Sequence, residues 1–152
     1  MFKKVFFILV FINLVNCGFV PINSLNNNKN ITIQSIKIID GDRKLNMALQ
    51  RNLKKYQINN SENPFDITIT NSYEKKAISK NTAGATTTYQ LKATVNFEIQ
   101  YKDTKDNVSY IETFNIDNSS DDFENRSYEG TVKENFANSI SQKLIFKLLS
   151  IL

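Results

Sequence analysis

The chain has 152 residues and a formal charge of +4, with one cysteine and neither histidine nor tryptophan. A length of this order suits one domain with a sizeable core, and so small and dispersed a basic excess does not mark a nucleic-acid partner. One cysteine cannot form an internal disulfide, and the missing histidine removes the usual near-neutral general base and the commonest metal ligand.

In chain order, Lys3 and Lys4 precede an apolar run, Val5 to Val15, broken only by Asn13. A bilayer-spanning helix needs about 20 apolar residues, so this run reads as the core of a secretory signal. Leu14-Val15-Asn16-Cys17 looks like the lipobox of bacterial lipoproteins, with Asn16 in place of the usual Gly, Ala or Ser. That resemblance implies cleavage before Cys17 and a diacylglyceryl thioether on its sulfur, residues 1–16 being the lipoprotein signal peptide. A buried thiol is the competing reading, and a cysteine at this junction fits it poorly. One acyl chain, at about 0.8 kcal/mol per buried methylene, anchors only marginally; the class carries two or three. Loss of Lys3 and Lys4 lowers the formal charge from +4 to +2. Gly18 follows the cysteine where an aspartate would retain the product in the inner membrane, so by the same resemblance sorting is to the outer membrane.

Residues 17–30 form the lipidated N-terminus and, in the asparagine-rich stretch Leu25 to Asn30, a solvated tether. A single domain then fills 31–152. Ile31 to Asp40 is β-branched, with Ile36 and Ile38 alternating against polar neighbours, and predicts a strand. Gly41-Asp42 turns the chain and offers Asp42 as an N-cap. From Arg43 to Tyr56, Leu45, Leu49 and Leu53 fall four apart beside Ala48, one apolar stripe of a helix. After a loop from Asn59 to Pro64, Phe65, Ile67 and Ile69 alternate in a second strand that extends to about Ile78. Tyr89, Leu91, Ala93, Val95, Phe97, Ile99 and Tyr101 then alternate with polar residues, which predicts a long strand with one packed and one polar face. Beyond the turn from Asp103 to Asn107, Val108, Tyr110, Phe114 and Ile116 share one face of a fourth strand, and Ile111 is an exception. Val132, Phe136, Ile140, Leu144 and Leu148 repeat every four residues in a closing helix. Ser119 to Glu124 marks a break and a helix start, and the cost of Gly130, about 1 kcal/mol relative to alanine, leaves a start nearer Tyr128 as the alternative. The order β-α-β-β-β-α predicts an α+β two-layer sandwich, with two helices on one face of a four-stranded, mostly antiparallel sheet.

The chain carries no catalytic signature. There is no G-x-S-x-G elbow, P-loop or zinc spacing, and without histidine no nucleophile–histidine pair exists. Asp121-Asp122 reads as a solvated helix start favoured by the dipole rather than as a cation site. We therefore expect no enzyme, no cofactor and no metal. Two basic places remain: Lys75, Lys76 and Lys80 flank the second-to-third strand connection, and Lys102 and Lys105 flank the next turn. If both hairpins lay at one end of the sheet, these lysines would form one patch for phosphorylated lipid head groups; otherwise they are ordinary turn lysines.

Cys17-Gly18-Phe19-Val20-Pro21 resembles the start of the mature LptE family of lipopolysaccharide-assembly lipoproteins, where Cys-Gly-Phe-x-Pro-Leu-Tyr is common; Ile22 and Asn23 depart from its last two positions. The likeness continues at pattern level through Leu45 to Leu49, Thr88 to Leu91 and the helix from Tyr128 to Leu149. It implies a plug inside the outer-membrane β-barrel LptD, anchored in the outer membrane by its acyl chains and facing the periplasm, with lipopolysaccharide as a further partner of the basic patch. Another envelope lipoprotein, a transport accessory or a cell-wall synthase activator, is the rival reading.

Overall fold

A computed structural model describes residues 31–57 and 64–152. The signal segment, Cys17, Gly18, the tether and most of the loop before Phe65 lie outside the described residues. The elements are β1 (Ile33–Asp40), α1 (Arg43–Lys54), β2 (Phe65–Lys80), β3 (Thr86–Tyr101), β4 (Thr104–Asp117) and α2 (Asp122–Ile151). The sheet order is β1-β2-β3-β4, with β1 parallel to β2 and the other two pairings antiparallel. The α+β architecture and the order expected from the sequence are those observed. The parallel pair requires a crossover, which α1 supplies, whereas the later strands are joined by tight hairpins.

The strand alternation holds in three dimensions. Phe65, Ile67 and Ile69 of β2 and Leu91, Ala93, Val95, Phe97 and Ile99 of β3 are buried on one face. Both helices cover that face. From α1 come Leu45, Ala48, Leu49 and Leu53; from α2 come Val132, Phe136, Ala137, Ile140, Leu144 and Leu148. Each fully buried leucine, isoleucine or phenylalanine contributes about 1.5–3 kcal/mol of transfer free energy, so this layer dominates stability. The Phe65 and Tyr101 rings stack at 4.6 Å where β2 begins and β3 ends.

The cap of α1 is as expected: the Asp42 side chain accepts from the Leu45 amide at 2.9 Å. Arg51 and Lys54 stand in the last turn, where cations complement the dipole. Of the two starts left open by the sequence, α2 takes the earlier. It begins at Asp122, not near Tyr128, and Gly130 is inside the helix. The Asp121 side chain accepts from the amides of Phe123 at 2.7 Å and Glu124 at 3.3 Å, and Asp122 and Glu124 place negative charge in the first turn. A cap and two acidic residues together contribute about 1–2 kcal/mol, enough to offset one glycine. Small departures from expectation are that β1 begins at Ile33, although Ile31 and Thr32 are already buried, and that β2 runs to Lys80.

Candidate functional site

The lysines singled out in the sequence do not come together. Lys80 pairs with Thr86 at the tip of the β2–β3 hairpin, while Tyr101 pairs with Thr104 at the β3–β4 turn. Successive hairpins lie at opposite ends of a meander, and the length of β3 separates them by ~45 Å. A single patch of Lys75, Lys76, Lys80, Lys102 and Lys105 is therefore excluded by topology.

Their individual surroundings differ as well. Lys105 bonds Glu98 at 3.1 Å across the open sheet face. Lys102 occupies the turn with φ +52° and lies 5.1 Å above the Tyr101 ring. Lys75 points to the helix side, bonds Glu129 of α2 at 3.0 Å and lies 4.6 Å over the Tyr89 ring.

Lys75 belongs to a polar network that joins β2 to both helices. At its centre Lys133 is buried, 2.8 Å from Asp42 and 3.5 Å from Glu129, with its ammonium 3.8 Å from the centre of the Tyr73 ring. Asn71, also buried, accepts from the Asp42 amide at 2.9 Å and donates to the Asn46 side chain. Burial by itself would raise the Glu129 carboxyl, yet its bond to Lys75, with Tyr73 and Lys133 beside it, holds it below the usual carboxylate range. Asp42 is likewise lowered: burial opposes, and the bonds from Lys133 and the Leu45 amide win. The Tyr73 hydroxyl is pushed far above the usual tyrosine range by burial first and by the Glu129 and Asp42 carboxylates next. It meets no partner at hydrogen-bonding geometry, although Glu129 is near enough to oppose its ionisation.

The sequence singled out only Asp42, as a cap, and Lys75, as a turn lysine, from this network. Two signals marked it: Asn71 falls where the Phe65-Ile67-Ile69 alternation calls for an apolar residue, and Lys133 stands inside the α2 stripe beside Val132. The chemistry available is positional. A buried cation neutralised by two carboxylates fixes the entry of α1 against the middle of α2, and each charged group of the network is already paired within the domain.

The opposite sheet face is open and polar. Thr68, Thr70, Asn96, Glu98, Asn107 and Ser109 border a shallow trough of about 360 Å³, with Ile39 at its rim. The face offers hydroxyls and amides rather than an enclosed apolar pocket.

Comparison with known proteins rests on this architecture. The crystal structure of rare lipoprotein B from Shewanella oneidensis superposes with a TM-score of 0.58 at 13% identity, covering 77% of this chain and 95% of that one. A minor lipoprotein from Acinetobacter baumannii gives 0.55 at 16% identity, covering 74% and 91%. This chain shares their fold. No family model matches the sequence, and no curated protein matches it. At such identities the likeness concerns the lipoprotein fold alone, and the residues of the Lys133 network carry no role from it.

Proposed function

We propose that this protein is a lipid-anchored envelope protein of the LptE type, acylated on Cys17, that plugs an LptD-type outer-membrane β-barrel and assists it in assembling lipopolysaccharide at the cell surface. The observation that carries the proposal is the conjunction of a lipobox ending at Cys17 with a domain that has the rare lipoprotein B fold. The domain has the surface such a plug needs. Its open sheet face is built of threonine, asparagine, serine and glutamate side chains, and the lumen of a large membrane barrel is itself polar and wet. Many dispersed polar contacts then hold the plug, without a catalytic residue. The stretch from Leu25 to Asn30 gives the reach for an anchor in the inner leaflet and a domain within the barrel.

The test is affinity purification of the tagged protein from detergent-extracted membranes, with mass analysis of its N-terminus and of the proteins that accompany it. The proposal expects an acylated Cys17 and a large β-barrel in equal amount. An acylated Cys17 accompanied by an inner-membrane transporter or a cell-wall synthase would preserve the anchor and overturn the plug.

A further inference from the structure

The outer edge of β4 has the properties of a pairing surface. β4 runs 14 residues and stays in unshifted register with β3 from Thr88–Asp117 to Tyr101–Thr104. The Asn118 amide donates to the Thr87 carbonyl at 2.8 Å, one step beyond the Thr88–Asp117 pair, which makes that pair a non-hydrogen-bonded one. Alternation along an unshifted ladder then turns the N–H and C=O of Lys105, Asn107, Ser109, Ile111, Thr113 and Asn115 away from β3. Among the described residues no strand takes up these groups, because β4 is the last strand of the sheet.

Edge strands are ordinarily blunted by bulges, proline, lysine or unpaired inward charges. The opposite edge follows that practice: β1 has 8 residues and two register shifts. β4 does not. It has no proline and, after Lys105, no basic residue. Its inward charges are neutralised, Asp106 by Lys147 and Glu112 by Lys143, each at 2.7 Å. Large apolar side chains also stand exposed along this margin. Ile111 is 55% exposed on the open face, and Phe114 is exposed against the Tyr128 ring. On α2, Ser139 and Lys143 touch Glu112, and the exposed Phe146 continues the same helical stripe.

We infer that β4 pairs antiparallel with β4 of a second copy, about a two-fold axis through Ile111, to make one continuous eight-stranded sheet. Self-complementarity of the strand carries the inference. In this register Ile111 opposes Ile111, Ser109 opposes Thr113, Asn107 opposes Asn115 and Lys105 opposes Asp117, all on the open face with outward backbone groups to exchange. On the helix face Val108 opposes Phe114 and Tyr110 opposes Glu112, while Asp106 opposite Ile116 is the poorest match. Hydroxyl, amide, apolar and opposite-charge pairs are each favourable directly across an antiparallel ladder. Lys105 already bonds Glu98 at the surface and meets Asp117 of the second copy as an additional partner. An isologous contact of this kind closes on itself and leaves no free β4 edge. Pairing through β4 and seating in a barrel lumen are alternative states of the domain, so the inference concerns the chain outside a barrel.

Cysteine cross-linking in the full chain carrying Cys17→Ser, purified in mild detergent, reads the register. Ile111→Cys places two sulfurs at the axis, whereas Ser109→Cys places them four residues apart along the strand, about 13 Å. We expect disulfide-linked dimer from Ile111→Cys under mild oxidation, about tenfold more than from Ser109→Cys, because only the first pair meets disulfide geometry. Mixing Ser109→Cys with Thr113→Cys chains should restore cross-linking. Ile111→Lys, which opposes two cations at the axis without touching the core, should give a folded monomer by circular dichroism and sedimentation. Equal cross-linking at 109 and 111, or a monomeric parent chain at the concentration tested, would overturn the inference. A heteromeric strand partner on this edge would show as that second result.

Discussion

Lys133, from the middle of α2, and Asp42, at the cap of α1, meet at 2.8 Å in a site almost closed to solvent. The two residues are remote in sequence, and their pairing fixes how the helices cross the sheet. Removing the cation leaves the Asp42 and Glu129 carboxylates facing each other with little solvent. Lys133→Ala should therefore cost about 3 kcal/mol in urea unfolding, well above an exposed ion pair such as Arg51–Glu134. A loss below 1 kcal/mol would show that water enters the site and screens the charges.

The same network predicts an acid limit. Asp42 and Glu129 have folded pKa values below their ordinary ones, so around pH 4 the unfolded chain binds more protons than the folded one. Their contribution is present above the ordinary carboxylate values and is lost as pH falls through the lower folded values. Thermal melts should show stability falling from about pH 4.5 downward, less steeply in Lys133→Ala. Tyr73 works in the other direction. Its folded pKa is raised, so stability should decline above about pH 10, where only the unfolded tyrosine ionises. Tyr73→Phe should flatten that alkaline limb.

Two glycines should respond oppositely to alanine. Gly41 has φ +121°, and a Cβ there would lie 2.5 Å from Asn71 backbone and side-chain atoms. Gly41→Ala should destabilise by about 2–3 kcal/mol, through backbone strain and displacement of Asn71 from the Asp42 amide. Gly130 is helical, and its added Cβ meets only the Lys44 ammonium, at 3.8 Å. Gly130→Ala should stabilise by about 0.5–1 kcal/mol. Denaturant titration of both variants checks the pair.

The basic residues of the β2–β3 hairpin should separate in the same assay. Lys75→Ala loses the Glu129 bond and the Tyr89 contact, at a cost of about 1 kcal/mol. Lys76→Ala and Lys80→Ala, on the exposed hairpin arm, should stay within about 0.5 kcal/mol of the parent. Equal losses at all three would indicate that the arm acts as one cluster.

The elements and their buried faces were legible along the chain, because period-2 and period-4 apolar patterns are local statements about which side of a strand or helix leaves water. Leu45-Leu49-Leu53, the run from Tyr89 to Tyr101 and the stripe from Val132 to Leu148 all pack as their spacing dictates. The caps were legible less evenly: Asp42 was plain, but the strength of the Asp121 cap against Gly130 was not, since two opposing terms of about 1 kcal/mol cannot be ranked from composition. Which distant residues meet became visible in the folded chain alone. The alternation of hairpins placed Lys80 and Lys105 at opposite ends of the sheet, and the parallel β1–β2 crossover carried Asp42 to Asn71 and Lys133. Burial is encoded in spacing along the chain, whereas the pairing of charges depends on chain path, and a lysine within an apolar stripe reveals its purpose only when its carboxylates arrive from elsewhere in the fold.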